Sequence, residues 1–235
     1  MILYSGPSEI DGKPIVAIIT GIENKSHNRK TGAMPQVWII RSDIHPTEAL
    51  RTGEDVSICG NCPYRPTELG DQALKRNIRK CYVNTMSFNA VYKKYAAGGY
   101  EVADLNTLAH VLSDYHVRIG AYGDPAAVPI SVWDTVLVYC KSTGYTHQWK
   151  SCSPEYSKYC MASCDSPLDV LMSTAKGYRT FFVQSNGTVD RIVEGIKLAH
   201  CPASKEKGKS TTCAKCMACS GTRTGLKSNI TIKMH

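Results

Sequence analysis

Several common functional signals are missing from this chain of 235 residues. It contains no glycine-rich phosphate loop, no dinucleotide-binding fingerprint, no nucleophile elbow and no HExxH motif. These absences argue against the usual forms of kinase and hydrolase chemistry.

Long hydrophobic stretches are absent as well. A membrane-spanning helix needs roughly eighteen apolar residues in a row, and no segment of the chain approaches that length. The first residues, MILYSGPSEIDGKP, lack a basic start, an apolar segment and a cleavage site of the kind found in signal peptides. We therefore expect a soluble cytoplasmic protein with no membrane partner.

Cysteine, in contrast, is abundant, with eleven residues. The apolar content of 43% and the charged content of 20% are those of an ordinary globular protein. A reducing cytoplasm keeps thiols reduced, so disulfides do not account for so many cysteines. Metal or cluster ligation is the simplest use for them.

Short apolar segments alternate with helical periods along most of the chain. The segments PIVAIITG and QVWIIRS predict strands near the N-terminus, and EVADLNTLAHVLSDY predicts a helix whose apolar residues lie three and four apart. Further along, the order strand, helix, strand recurs in HVRIGAYGDP, VPISVWDTVLVYCKSTG and YTHQW, and again in KYCMASCDS, PLDVLMSTAKGY and RTFFVQ.

This recurring order predicts an α/β protein with a parallel sheet and right-handed crossovers. We expect a single domain over residues 1–235, because no clear linker interrupts the chain. Within it, residues 1–45 form a β-rich entry ribbon, residues 55–200 the α/β core, and residues 201–235 a basic, cysteine-rich C-terminal extension.

The clearest ligand motif is the late cysteine group, defined as Cys201, Cys213, Cys216 and Cys219 in the stretch CPASKEKGKSTTCAKCMACSG. Three of these cysteines have the spacing CxxCxxC, and the fourth is a remote Cys-Pro. This pattern is typical of 4Fe-4S ligation. A zinc ion held by four cysteines is the alternative, although zinc sites usually contain two separate CxxC pairs.

A second ligand pattern, the early cysteine group, consists of Cys59, Cys62 and Cys81. Three protein ligands leave one metal position open for water, substrate or cofactor, and such positions are where metal chemistry occurs. Alternatively, a further cysteine closes the site; the candidates are Cys140, Cys152, Cys160 and Cys164. Of these, Cys140 and Cys164 lie in apolar segments and are predicted to be small core residues.

Polar residues occur where the predicted parallel strands end, which is where α/β sheets bind ligands. The candidates are Tyr122 and Asp124 after one strand, His147 in YTHQW, and Asp165 after KYCMASC. In YTHQW, His147 would share one strand face with Tyr145. Other interpretations remain open: Asp165 as a helix cap, Asp124 as a turn former, and His147 as an ordinary hydrogen-bonded histidine.

A modest excess of positive charge, +8 for the chain, is partly concentrated after Ser204. The basic residues there are Lys205, Lys207, Lys209, Lys215, Arg223, Lys227 and Lys233. Such a segment could bind nucleic acid, but solvated lysines around a ligand loop are the commoner explanation.

Taken together, residues from Cys59 to Gly221 resemble the phage gene product 88-like family, which is distantly similar to radical S-adenosylmethionine enzymes. The resemblance rests on Cys81-Tyr82, on Arg118, Ile119, Gly123 and Asp124, on Tyr145-Thr146, on Ser163 and Asp165, and on the late cysteine group. The chain departs from radical S-adenosylmethionine enzymes in lacking their CxxxCxxC motif.

The resemblance implies a partial (β/α) barrel, a phage protein acting in the host cytoplasm, and two 4Fe-4S clusters. It also implies an open iron at the early cysteine group that binds S-adenosylmethionine. Asp124, His147 and Asp165 would then be catalytic residues, and Arg118, Tyr122 and Tyr145 would contact the cofactor. The alternative is a zinc- or cluster-stabilised module that binds nucleic acid or transfers electrons.

Overall fold

The computed structural model describes residues 1–23, 29–185, 189–208, 211–226 and 228–234. This part of the chain forms a mixed α/β fold with two sheets. The strands are β1 (Ile2–Pro7), β2 (Pro14–Thr20), β3 (Gln36–Arg41), β4 (His116–Tyr122), β5 (Lys141–Thr143), β6 (Tyr145–Thr146), β7 (Met161–Cys164), β8 (Thr180–Gln184), β9 (Ile192–Val193), β10 (Ile196–His200) and β11 (Asn229–Lys233). The α-helices are α1 (Pro46–Thr52), α2 (Val56–Cys59), α3 (Thr85–Ala96), α4 (Leu105–Val111), α5 (Ile130–Val136), α6 (Pro167–Ala175) and α7 (Cys213–Cys216).

The first sheet has the strand order β1-β2-β3-β4-β5. Strands β1, β2 and β3 form an antiparallel meander, whereas β4 runs parallel to both β3 and β5. The N-terminal ribbon is therefore continuous with the α/β core, because β3 pairs directly with β4.

The second sheet has the strand order β6-β7-β8-β11-β10-β9. All neighbouring strands in it are parallel except β9 and β10. Strand β11 is the last in the chain and yet lies inside this sheet, between β8 and β10. The segment predicted as a C-terminal extension thus also supplies an interior strand.

Gly144 joins the two sheets, since it alone separates β5 from β6. Strand β5 pairs with β4 of the first sheet, and β6 pairs with β7 of the second. A Cβ atom at position 144 would lie 2.5 Å from Cγ1 of Ile119, so the close passage of the strand requires glycine. Neither sheet closes on itself in the described part of the chain.

Side-chain caps set the start of several helices. Asn84, Asp104 and Ser166 each accept a hydrogen bond from a backbone N–H in the first turn of α3, α4 and α6, respectively. The cap at Asp104 explains why α4 begins at Leu105 and not at Glu101, as the sequence pattern suggested. Val102, counted on the predicted apolar face, lies outside the helix and is 79% exposed.

The largest hydrophobic core lies between the first sheet and its helices. Each of α1 to α5 contributes a buried side chain to it, namely Leu50, Ile58, Phe88, Leu108 and Trp133. A smaller cluster packs Trp149 and Val170 against β7 and β8 of the second sheet. Among the described residues, every helix is too short or too polar to span a bilayer.

The predicted strand YTHQW is shorter than expected. Strand β6 ends at Thr146, and a 3-10 helix follows over Gln148–Lys150. His147 has a helical backbone conformation, with φ of −85° and ψ of −13°. The prediction that His147 shares a strand face with Tyr145 is therefore wrong, because the chain turns at the end of β6.

Candidate functional site

The early cysteine group is assembled by a loop that follows a short helix. Helix α2 ends at Cys59, and Gly60 then adopts a positive φ of 51° that turns the chain toward Cys62. The N–H of Cys62 donates to the carbonyl of Cys59 at 3.1 Å, and the N–H of Cys81 donates to the carbonyl of Tyr64 at 3.0 Å. The remote third cysteine is thus attached to the CxxC loop.

The thiols of this group are near enough to interact electrostatically. Burial raises the pKa of Cys59 well above its ordinary value, and the neighbouring Asp55, Cys62 and Cys81 add to this rise. Arg65 opposes it. An apo site therefore keeps Cys59 protonated, and a bound cation would favour its thiolate.

Arg65 also fixes the backbone of the loop. Its Nη2 and Nε atoms donate to the carboxylate of Asp55 at 2.8 and 2.9 Å, and Nη2 also donates to the carbonyl of Gly53 at 2.8 Å. Asp55 is only 1% exposed, so this two-point ion pair is largely shielded from solvent. Sequence analysis did not identify Arg65, because a single arginine in a loop has no distinguishing pattern.

Asp124 links the early loop to the ends of the parallel strands. Its backbone N–H donates to the carbonyl of Ile58 at 2.6 Å. Its carboxylate accepts from the N–H of Ala126 at 2.9 Å and from the N–H of His147 at 2.8 Å. Burial raises the pKa of Asp124, while these hydrogen bonds oppose the rise. Asp124 therefore caps a turn, as the alternative interpretation had it, and positions His147 as well.

His147, Asp165 and Tyr64 form a connected polar unit beside Cys62. Nε2 of His147 lies 3.1 Å from Oδ2 of Asp165, and the hydroxyl of Tyr64 donates to Oδ1 of Asp165 at 2.6 Å. Burial lowers the pKa of His147, but Asp165 and Cys62, both within hydrogen-bonding reach, raise it to about 10. The three predicted catalytic residues thus lie together, next to the early cysteine group.

Two buried donors near this group have no hydrogen-bond partner among the described residues. They are the hydroxyl of Tyr122 and Nε of Arg79. Tyr122 stacks on Phe88 with a centroid separation of 4.3 Å, and Arg79 lies over the same Phe88 ring. Burial raises the pKa of Tyr122, and Cys59 is one of the neighbours that raise it further. Buried donors without partners are costly, which makes these two candidate contacts for a bound group.

The late cysteine group lines one small, partly enclosed cavity, with about 10 Å³ of room for a water-sized molecule. All four cysteines line it, together with Thr143, Pro202, Ala203, Met217, Ala218 and Ile230. Burial raises the pKa of Cys219 to about 12, and the other three thiols add to this rise. The four sulfurs therefore share one largely apolar environment.

Backbone hydrogen bonds hold the late cysteines in place. The N–H of Cys201 donates to the carbonyl of Thr231 in β11 at 2.9 Å. Cys213 and Ala214 donate to the carbonyls of Lys30 and Thr31, both at 2.9 Å. Residues far apart in the chain thus converge on this cavity.

Two of the three predicted cofactor contacts belong to the late group. Arg118 and Tyr145 both interact electrostatically with Cys213, and the hydroxyl of Tyr145 is within hydrogen-bonding reach of Cys219. Only Tyr122 adjoins the early group. Local sequence patterns do not assign these residues to one group or the other, because the assignment depends on where the C-terminal segment returns to the sheet.

The remaining four cysteines have partners elsewhere. The sulfur atoms of Cys152, Cys160 and Cys164 contact the Tyr178 hydroxyl, the Tyr156 carbonyl and the Ser173 hydroxyl at 3.4, 3.3 and 3.3 Å. Cys140 is buried, and its backbone carbonyl accepts a hydrogen bond from Arg223. None of these contacts brings a fourth thiol to the early group.

Within the residues that the structure describes, no set of three or more histidine, cysteine or acidic side chains is arranged to hold a metal ion. Comparison of the chain with protein-family models, with curated proteins and with solved structures gives no match.

Proposed function

We propose that the protein binds two 4Fe-4S clusters, one at each cysteine group, and that the early one serves a radical S-adenosylmethionine-like reaction. The main support for this proposal is that the early cysteine group lies beside Asp124, His147 and Asp165. Ligand thiols and perturbed acid-base groups in one place are typical of an active site.

The late cysteine group fits a cluster by number and environment. Four thiols line one apolar cavity, which supplies a complete ligand set and excludes water. A 4Fe-4S core is larger than one zinc ion. The four cysteine sulfurs that bind a cluster can therefore lie further apart than four sulfurs that bind zinc. A closed cluster of this kind supports structure or electron transfer.

The early group fits a cluster with one exchangeable position. Three thiols are present, and the unpartnered donors of Tyr122 and Arg79 lie near them. Tyr122 and Arg79 could donate hydrogen bonds to the thiolates or to a carboxylate of a bound cofactor. When bound, such a cluster supplies one electron to its cofactor.

The residues around the early group would orient that cofactor and manage protons. Tyr64 holds Asp165, Asp165 holds the ring of His147, and Asp124 fixes the backbone of His147. With its pKa raised to about 10, His147 is protonated at neutral pH and can donate a proton or stabilise an anion.

The parallel strands favour a partial barrel as the frame of this site. Strands β3, β4 and β5 run parallel, as do β6, β7, β8, β11 and β10, and Gly144 connects the two runs. Asp124, His147 and Asp165 follow the carboxyl ends of β4, β6 and β7.

By the family resemblance, we propose a phage protein acting in the cytoplasm of its host.

Metal analysis of anaerobically purified protein tests the assignment. We expect about eight irons with sulfide, and an electron paramagnetic resonance spectrum that changes on addition of S-adenosylmethionine. Cys62→Ala should remove the early signal and its response, whereas Cys213→Ala should remove the late signal. Cys164→Ala, outside both groups, is the matched control. Unchanged iron content in Cys62→Ala would refute the early site.

The second candidate is a metal-stabilised nucleic-acid-binding module. Its support is the exposure of Lys205, Lys207 and Lys215 around the late cysteine group. Binding of this kind weakens steeply as salt increases, because phosphate contacts release counterions. Zinc without sulfide, together with salt-sensitive binding to DNA or RNA, would favour this module over the enzyme.

A further inference from the structure

Arg118 is a cation with an unusual set of neighbours. It lies in β4, in register with Gln36 of β3 and Thr143 of β5. Its Nη2 atom donates to the hydroxyl of Tyr82 at 2.8 Å. Among the described residues, no carboxylate forms a salt bridge with Arg118.

The groups around the guanidinium are two phenols, Tyr82 and Tyr145, and the thiol of Cys213, which carry no charge at neutral pH. Burial disfavours the charged guanidinium, but Tyr82, Tyr145 and Cys213 outweigh this effect and raise the pKa of Arg118. Thr143, the register partner of Arg118, lines the late cavity. Backbone register and electrostatic contact thus both place Arg118 at this cavity.

Arg118 is half-buried and has no carboxylate partner among the described residues, so an anion in the neighbouring cavity would stabilise its charge. Four thiolates around a zinc ion, or around an oxidised 4Fe-4S core, carry a net charge of about −2. The late cysteine group would therefore become strongly anionic when it is filled.

We propose that Arg118 is the counter-cation of the filled late cysteine group and that its hydrogen bond to Tyr82 couples this group to the early one. Tyr82 directly follows Cys81, a ligand of the early group, so the two ligand sets are joined through one side-chain hydrogen bond. This inference rests on the proposed function for the nature of the bound centre.

Reduction adds one negative charge to a cluster, and a nearby cation stabilises that charge. Arg118→Met should therefore shift the reduction potential of the late cluster to lower values, while Arg118→Lys should keep it close to that of the unaltered protein. Tyr82→Phe keeps the ring but loses the hydrogen bond, so we expect a smaller shift of the late cluster and an altered early signal.

The test is anaerobic redox titration of the full chain followed by electron paramagnetic resonance, with Arg51→Met as a control. Arg51 lies in α1, is 42% exposed and changes the net charge equally. If two clusters are present but Arg118→Met leaves the late potential unchanged, the counter-cation assignment fails while the cluster assignment stands.

If the protein contains zinc instead, the cluster assignment fails but the charge argument is still testable. Zinc bound by four thiolates is also anionic, so Arg118→Met should release zinc to a chelator faster than the unaltered protein does. Equal release rates would overturn the proposal. Protein that binds no metal at all would overturn it as well, because no anionic centre would then exist.

Discussion

Among single residues, His116 provides a test of burial that is independent of both cysteine groups. It begins β4, is 6% exposed, and both ring nitrogens lack a hydrogen-bond partner among the described residues. Burial, and to a lesser extent the charge of its register partner Lys141, lower its pKa from 6.5 to about 4. The folded protein therefore holds this imidazole neutral at pH values where the unfolded chain would protonate it.

The sign of the pH dependence follows from this difference. Between pH 6.5 and about 4 the unfolded chain binds more protons at His116, so stability falls as the pH decreases through this range. The loss approaches about 3 kcal/mol at the acidic end. His116→Leu should abolish this part of the acid sensitivity, as measured by urea unfolding at pH 7 and pH 4.5.

His110→Leu is the control for this measurement, because His110 is exposed at the end of α4. The stability difference between His116→Leu and the unaltered protein should grow on acidification, whereas that for His110→Leu should stay small. A difference for His116→Leu that is the same at both pH values would contradict a neutral, buried imidazole.

At the level of elements, the turn after α2 depends on Gly60. Its φ of 51° and ψ of −128° suit glycine alone. A Cβ atom there would lie 2.3 Å from the side-chain oxygen of Gln148, whose amide donates to the carbonyl of Cys59 at 3.0 Å. Gly60→Ala should destabilise the fold by about 1–3 kcal/mol and deplete iron from the early group only.

The control for Gly60→Ala is Gly177→Ala at the end of α6. Gly177 also has a positive φ, 83°, but open space surrounds its missing side chain. Thermal unfolding and iron analysis of both variants separate backbone strain from the contact with Gln148. Loss of early iron in both variants alike would show that the contact is irrelevant.

Arg179 holds the C-terminal part of the loop that contains the late cysteine group, at residues 218, 220 and 228, against the second sheet. It immediately precedes β8, is 4% exposed, and donates to the carbonyls of Ala218, Ser220 and Ser228 at 2.7, 2.5 and 3.1 Å. Arg179→Met leaves these acceptors without their donor, at a cost of about 3 kcal/mol. Amide hydrogen exchange of residues 213–226 should accelerate.

The exposed Lys205→Met variant should leave this exchange unchanged, because Lys205 lies on the surface of the same loop. Exchange in α3, far along the chain, is an internal reference for global unfolding. Slow exchange of residues 213–226 in Arg179→Met would mean that other contacts hold the loop.

The sequence predicted the elements with strong local patterns and missed those without them. Strands β2, β3, β4, β7 and β8 fall where apolar runs predicted strands, and α5 and α6 fall where helices were predicted. Strand β11, NITIK, is short and follows a polar loop, so its place inside the second sheet has no local signal. Its burial depends on pairing with β8 and β10, which only the fold provides.

In the candidate site, too, some residues could be predicted from the sequence and others could not. The strand-end rule identified Asp124, His147 and Asp165, and these residues do lie together. Tyr64 and Arg79 were missed, because each comes from a loop or turn whose path is set by tertiary contacts. The early and late groups were recognisable as ligand motifs and several of their neighbours were identified, but the sequence does not show which neighbour belongs to which group.

In the whole molecule, the late cysteine group connects distant parts of the chain. Its loop joins β10 to β11 and donates hydrogen bonds to the carbonyls of Lys30 and Thr31. The carbonyl of Cys219 accepts a hydrogen bond from the N–H of Gly144, which links the two sheets. A bound metal centre would therefore stabilise the fold as a unit, because metal binding to the folded state adds to its stability.

Removal of the metal should accordingly lower the melting temperature. Binding a thousandfold above its dissociation constant contributes about 4 kcal/mol, which corresponds to roughly 10 °C for a chain of this size. Calorimetry should detect this decrease in anaerobically chelated protein and in Cys213→Ala, while Cys152→Ala, whose sulfur contacts Tyr178, should keep its metal. An unchanged melting temperature in Cys213→Ala, despite proven loss of metal, would show that the late centre does not hold the two sheets together.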